Sequence, residues 1–293
     1  MAHERYINAG GFRTRFLEAG EENNIPVILV HDAAFGGGSD VSWSSIIDDL
    51  ANDYHVIAPD LLGFGGTDKA VFLDRSPYSF RVAHIAALCE VLDVRESAHL
   101  IGNSFGGSVV LRALESAGVA WRVRSVVSIS GTGGPWRKPE GVAALASFDG
   151  TLEGIRKIVE LLIDEDFPGF DEYVEHRYEN ALLPGHYEVM SAPRLQNPAL
   201  EDKRAKIQDP YPETLRDCPT PTLLIEGERD TLIEEGWTEK LAEVSPDIEV
   251  VRLDSKHSPN IDHPELLANT LRTWLEKQEH AVAYRDKGGE LAE

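Results

Sequence analysis

At 293 residues, with 42% hydrophobic and 27% charged residues, the chain is long enough for one large globular domain with an insertion and too apolar for disorder over most of its length. A net charge of −22 repels phosphate backbones and anionic membrane surfaces, which argues against nucleic acid and membrane as partners but says nothing of the field inside a pocket; the partner expected is a small-molecule substrate. No stretch approaches membrane-spanning length, the start lacks a basic segment followed by an apolar run, and two cysteines (Cys89, Cys218) make no disulfide framework, so a reducing cytoplasm is the expected setting.

Arg5 to Ile7 and Phe12 to Ala19 flank the turn-forming Asn8-Ala9-Gly10-Gly11 and predict an opening hairpin. Pro26 to His31 is almost wholly apolar, as a strand buried on both faces of a parallel sheet should be. A loop, Asp32 to Asp40, precedes a helix expected over Ser42 to Ala51. Strand His55 to Pro59, loop Asp60 to Lys69 and helix Ser79 to Leu92 follow. Ala98 to Ile101 then reads as a strand, Gly102-Asn103-Ser104-Phe105-Gly106-Gly107 as a sharp turn, and Ser108 to Ala117 as a helix. Arg124 to Ser130 is a further strand, ending in Gly131-Thr132-Gly133-Gly134-Pro135. From Trp136 to about Pro212 the pattern is charged, aromatic and helix-prone, a helical insertion over the sheet. Strand Thr220 to Glu226, helix Trp237 to Val244, strand Glu249 to Leu253 and an amphipathic helix Pro264 to Lys277 close the chain, with His280 to Glu293 as a mobile tail. Alternating strands and helices imply an α/β class with a mostly parallel sheet covered on both faces. The division is a core over 1–134, a helical cap over 135–213, a second core segment over 214–279 and a tail over 280–293.

The serine turn carries chemistry. Glycines on both flanks allow Ser104 a strained backbone that pushes its hydroxyl outward, and the amide of Phe105, at a helix N-terminus, is placed to stabilise an oxyanion. A serine hydroxyl needs a base, and the base an orienting acid, at later strand ends. Gly227-Glu228-Arg229-Asp230 and Ser255-Lys256-His257 occupy those ends. Ser104 is therefore assigned as nucleophile, His257 as general base then acid, and Asp230 as the carboxylate that fixes the imidazole. Glu228 and Asp254 are the rival acids. His263 is the rival histidine, better placed to cap or pack the last helix.

With these residues in place the sequence resembles the α/β-hydrolase superfamily over nearly all its length, and within it the meta-cleavage product hydrolases, which cut carbon–carbon bonds in aromatic-ring degradation. Gly102-Asn103-Ser104-Phe105-Gly106-Gly107 and Gly131-Thr132-Gly133-Gly134 carry the likeness. The resemblance implies an eight-stranded α/β-hydrolase fold with a helical cap, Asn103 and Ser45 beside the substrate, and Arg177 on its carboxylate. Without that role Arg177 is a helix-face charge beside Glu175 and Glu179. A second oxyanion amide falls at Ala33, after a His31-Asp32 pair that stands where the family has His-Gly. No metal or organic cofactor is implied. The reaction expected is cleavage of a vinylogous 1,5-diketone to a carboxylic acid and a 2-hydroxypentadienoate. A carboxylesterase or lactonase uses the same triad, and a non-catalytic receptor shares the fold. Haloalkane dehalogenases and epoxide hydrolases use an aspartate nucleophile, which Ser104 disfavours. A homodimer or higher homo-oligomer is compatible with the chain.

Overall fold

The computed structural model describes residues 1–94, 96–116, 122–194 and 209–286. Its opening hairpin pairs β1 (His3–Ala9) with β2 (Phe12–Ala19), and the pairing of Ala9 with Phe12 leaves Gly10 and Gly11 as a two-residue turn. Both glycines have positive φ, 59° and 90°, the geometry that matches the right-handed twist of a hairpin. Then come β3 (Pro26–Val30), β4 (His55–Pro59), β5 (Glu96–Asn103), β6 (Arg122–Ile129), β7 (Thr222–Gly227) and β8 (Ile248–Leu253). They join one eight-stranded sheet in the order β1-β2-β4-β3-β5-β6-β7-β8. β2 runs antiparallel to β4, and every pair from β4 to β8 is parallel.

The apolar run of β3 is buried on both faces. Ile28 and Val30 pack into one core with Val82, Ile85 and Val109, while Val27 and Leu29 pack into the other with Leu267, Leu271 and Trp274. Alternation of side chains across a strand makes this unavoidable for a central parallel strand covered by helices. The first core is covered by α3 (Ser79–Val91) and α4 (Phe105–Ala113), the second by the closing helix.

Helix boundaries differ most from expectation in three places, beyond an end one or two residues early at Val91 and Ala242. The single helix expected over Ser42 to Ala51 is two short ones, α1 (Ser39–Trp43) and α2 (Ile47–Leu50), separated by Ser44, Ser45 and Ile46. Helix α4 begins at Phe105, directly after the nucleophile position, and passes into a 3-10 turn at Leu114–Ser116; Ala117 lies outside the described residues. The closing helix runs over Pro264–Asp286 rather than stopping at Lys277, so the first half of the expected tail is helical and the rest lies outside the described residues. The extension is anchored: Gln278 is buried, and Glu279 accepts from His99 Nε2 (2.9 Å) and pairs with Arg124.

Between β6 and β7 the chain leaves the sheet and forms α5 (Pro139–Leu145), α6 (Leu152–Leu162), α7 (Phe170–Ala181) and α8 (His186–Ser191). Thr151 starts α6 by accepting the Gly154 amide at 3.0 Å, and Ile155, Ile158, Val159 and Leu162 form its buried stripe. After β7, α9 (Trp237–Ala242) leads into β8, and α10 (Pro259–Asp262) precedes the closing helix, α11. No helix among the described residues is long and apolar enough to cross a membrane.

Candidate active site

Ser104 stands between β5 and α4 with φ 57° and ψ −118°, a conformation that strains any L-residue by about 1–3 kcal/mol. Its surroundings impose it. The Ser104 amide donates to the Ile129 carbonyl at 2.7 Å and its own carbonyl accepts the Ser108 amide at 3.0 Å, fixing the turn from both sides. A side chain at Gly102 would lie 2.3 Å from the Gly106 carbonyl oxygen, and one at Gly106 2.1 Å from that of Val30. The turn therefore closes only with glycine at both positions.

The base and the acid arrive on two loops that are themselves bonded together. The Glu228 amide donates to the Leu253 carbonyl and the Arg229 amide to that of Ser255, and a side chain at Gly227 would meet the Lys256 carbonyl oxygen at 2.2 Å. The loops bring His257 Nε2 to 2.7 Å from Ser104 Oγ, and His257 Nδ1 to 2.6 Å from Asp230 Oδ2. This network assigns the proton to Nδ1, where it is donated to the carboxylate, and leaves Nε2 to accept the serine proton. Asp230 Oδ1 accepts the Leu232 amide at 2.7 Å. Burial alone would raise this carboxyl's pKa, but the charge and hydrogen bond of His257 and the Leu232 amide outweigh it and hold it below the ordinary value. The rivals fall elsewhere. Asp254 is exposed and paired with Arg229, Glu228 is exposed, and His263 faces Asp262 and Asp164.

Ser104 and His257 open onto a cavity of about 210 Å³. Phe105 and Ala33 line it, and among the described residues the amides of both lack an acceptor. Leu145, Met190, Leu232 and Ile233 make much of the wall apolar, with Ser130, Arg137 and Arg194 as its polar exceptions beside Ser108 and Thr132.

Three residues expected at the substrate are placed away from it. Ser45 is exposed in the short break between α1 and α2 and does not line the cavity. Asn103 is fully buried behind the nucleophile; its Nδ2 donates to the His257 carbonyl at 3.1 Å and its Oδ1 accepts the Ser258 hydroxyl at 3.2 Å, so it ties the histidine loop to β5. Arg177 is also fully buried, and its guanidinium is consumed. It donates from Nη2 to Asp32 Oδ1 (2.5 Å), from Nη1 to Asp32 Oδ2 (3.3 Å) and the Tyr173 hydroxyl (2.8 Å), and from Nε to the Phe35 carbonyl (2.9 Å).

The physical reason is Asp32, which competes for the arginine more effectively than a substrate could, being covalently held beside it. Asp32 is fully buried and also accepts the Ala34 amide and the Ser42 hydroxyl. Burial would raise its pKa, yet the Arg177 charge and hydrogen bonds hold it at about 2. The same partnership raises the arginine against its own burial. A second cap contact meets this loop: His186 Nε2 accepts the Gly36 amide at 3.0 Å, and burial lowers that imidazole to about 4. Helices α7 and α8 therefore pin the loop that carries Ala33 at the cavity wall.

Sequence reasoning passed over Asp32 as a partner, because an acid in a glycine-rich loop has the look of turn chemistry, and passed over Ser130, Arg137 and Arg194 as cavity wall. Among the described residues one cluster, Asp164, Asp262 and His263, gathers three metal-type ligand atoms within 4.8 Å, but Arg229 is bidentate on Asp164 and already supplies a positive charge there.

Residues 27–270 match the Alpha/beta hydrolase family. The chain is 29% identical over 280 residues to 2-hydroxy-6-oxo-6-(2'-aminophenyl)hexa-2,4-dienoic acid hydrolase of Metapseudomonas resinovorans, covering 94% of this chain and 91% of that one. It is 27% identical over 281 residues to Lipase 3 of Moraxella sp., covering 91% and 82%. Among solved structures, 2-hydroxy-6-oxo-6-phenylhexa-2,4-dienoate hydrolase from Rhodococcus sp. superposes with a TM-score of 0.82 at 26% identity, covering 94% of this chain and 99% of that one. The likeness to meta-cleavage product hydrolases read from the serine turn thus extends over the whole fold, and the chain belongs to the alpha/beta hydrolase family of enzymes.

Proposed function

We propose that this protein is a serine-dependent hydrolase of carbon–carbon bonds in vinylogous 1,5-diketones of the 2-hydroxy-6-oxohexa-2,4-dienoate type. The carrying observation is the Ser104 hydroxyl, 2.7 Å from His257 at the floor of a largely apolar cavity, in a chain similar over its length to dienoate hydrolases. The dienol is first ketonised, the hydroxyl proton leaving and carbon 5 gaining one, with His257 or water as carrier. Ser104 then attacks the carbon 6 carbonyl as His257 Nε2 takes its proton, and the amides of Phe105 and Ala33 hold the oxyanion. Collapse breaks the bond between carbons 5 and 6, its electron pair passes into the enone, and the proton held on His257 Nε2 goes to the resulting dienolate oxygen, releasing 2-hydroxypentadienoate and leaving His257 neutral. Water, deprotonated by His257, cleaves the acyl-serine to the carboxylic acid. In this reading residues 135–213 are the cap that closes the cavity, and the enzyme works in the cytoplasm on a small molecule without a cofactor.

One observation supports an ester reading instead. Asp32 occupies the arginine that the resemblance assigns to the dienoate, and a lipase is among the relatives. The deciding assay compares kcat/KM on ring-cleavage products with that on p-nitrophenyl esters. Turnover of a dienoate with release of the paired acid supports the proposal, and ester turnover alone overturns it.

A further inference from the structure

With Arg177 committed to Asp32, a carboxylate-bearing substrate has to find its positive charge elsewhere, and the cavity holds two other arginines. Arg137 follows the glycine-rich segment after β6, where its Nε donates to the Gly134 carbonyl at 3.0 Å and its backbone bridges to Ile233 beside the acid loop. Arg194 lies just beyond α8. Its Nη1 donates to the Ala146 carbonyl at 2.8 Å and its guanidinium lies 5.5 Å from the centre of the Phe35 ring. Each is held by a carbonyl, and neither has a carboxylate partner among the described residues. Both side chains are exposed at the cavity wall, and like Arg13 and Arg81 they contrast with Arg5, Arg15, Arg112, Arg156, Arg177 and Arg229, which all carry acidic partners.

An independent sign points to a polar ligand in the same cavity. Ser130 follows β6 with φ 51° and is 3% exposed, yet its hydroxyl has no hydrogen-bond partner. Ser130 lines the cavity together with Ser104, and the Ile129 carbonyl before it accepts the Ser104 amide. A buried hydroxyl left unpaired costs about 1–3 kcal/mol, a penalty that a ligand oxygen seated there removes.

We propose that Arg137 and Arg194 form the anion subsite of this cavity, gripping the substrate carboxylate in place of Arg177. This rests on the carbon–carbon hydrolase reading for the identity of the anion, but the subsite is testable without it. The guanidinium fork matches a carboxylate through paired N–H donors, whereas a neutral acyl chain gains nothing from it.

The test uses the full-length protein and two esters of similar length, p-nitrophenyl hydrogen succinate, which carries a carboxylate, and neutral p-nitrophenyl butyrate. The readout is the ratio of kcat/KM on the anionic ester to that on the neutral one. Arg137→Gln with Arg194→Gln is expected to lower this ratio on the order of tenfold, mainly through KM on the anionic ester. Arg137→Lys with Arg194→Lys should recover part of it. A ratio unchanged in the glutamine double variant overturns the assignment. In parallel, the dissociation constant of a dienoate is measured on Ser104→Ala, alone and combined with the two glutamine changes. Binding weakened about tenfold supports the subsite, and equal binding refutes it. Failure of the carbon–carbon reading has a different signature: wild-type protein leaves every ring-cleavage product intact, whichever way the ester ratio moves.

Discussion

Replacing Arg177 with methionine is a severe test of its reassignment from substrate ligand to internal clamp. The change keeps most of the buried stem but removes every donor that Asp32, Phe35 and Tyr173 receive from it. Asp32 keeps the Ala34 amide and the Ser42 hydroxyl, which is too little for a charge with no access to water. Stranding one member of a buried pair costs about 3–5 kcal/mol. Linkage gives the same direction: burial alone would raise the Asp32 carboxyl, and the charge and hydrogen bonds of Arg177 more than offset it, so the arginine stabilises the folded state with Asp32 ionised. The sign follows, since a lowered carboxyl adds stability above its unfolded pKa and loses it as pH falls from near 4 towards 2. In the variant Asp32 protonates at higher pH, so the stability gap to wild type narrows on acidification. Urea unfolding at pH 7 and pH 5 measures both effects. Adding Asp32→Gly should restore most of the lost stability, because the stranded charge goes with it. Because the loop bearing Ala33 is loosened in Arg177→Met, kcat should fall on dienoate and neutral ester alike. A loss of stability under about 1 kcal/mol, or an activity loss confined to anionic substrates, would refute the clamp.

Asp230→Asn should lower kcat by about 10⁴-fold through the wrong imidazole tautomer, whereas Asp254→Asn, at an exposed side chain, should stay within a few-fold of wild type in the same kinetic assay. His84 and His186 are buried and lowered to about 4, so the unfolded chain takes up protons that the native fold refuses; stability should drop as pH falls from about 6.5 to 4. Chemical denaturation across that window should show a shallower drop in His84→Gln with His186→Gln, and an unchanged slope would count against the assignment.

What could be read from the sequence was what local rules decide. The strand, glycine turn and helix around Ser104 are set by residues within a few positions of one another, and the order of serine, acid and histidine follows from strand ends along the chain. The pairing of Arg177 with Asp32 was not legible, because the two are 145 residues apart and Arg177 sits between glutamates with the periodicity of an exposed helix face. Asn103 misled for a related reason. A residue next to the nucleophile points either into the cavity or behind it, and only the arrival of His257 and Ser258 decides which. The closing helix outran its expected end because Glu279 finds His99 and Arg124 across the fold, contacts that helical periodicity alone cannot reveal.

The central claim is that Ser104 drives hydrolysis of a carbon–carbon bond. The direct measurement is turnover of 2-hydroxy-6-oxo-6-phenylhexa-2,4-dienoate by wild-type protein and by Ser104→Ala, with products identified by mass spectrometry. The account predicts benzoate and 2-hydroxypentadienoate in equal amounts from wild type, and a loss on the order of a thousandfold or more in the variant, which remains folded. Wild-type protein that leaves this and related dienoates intact, or a variant within about tenfold of wild type, would contradict it.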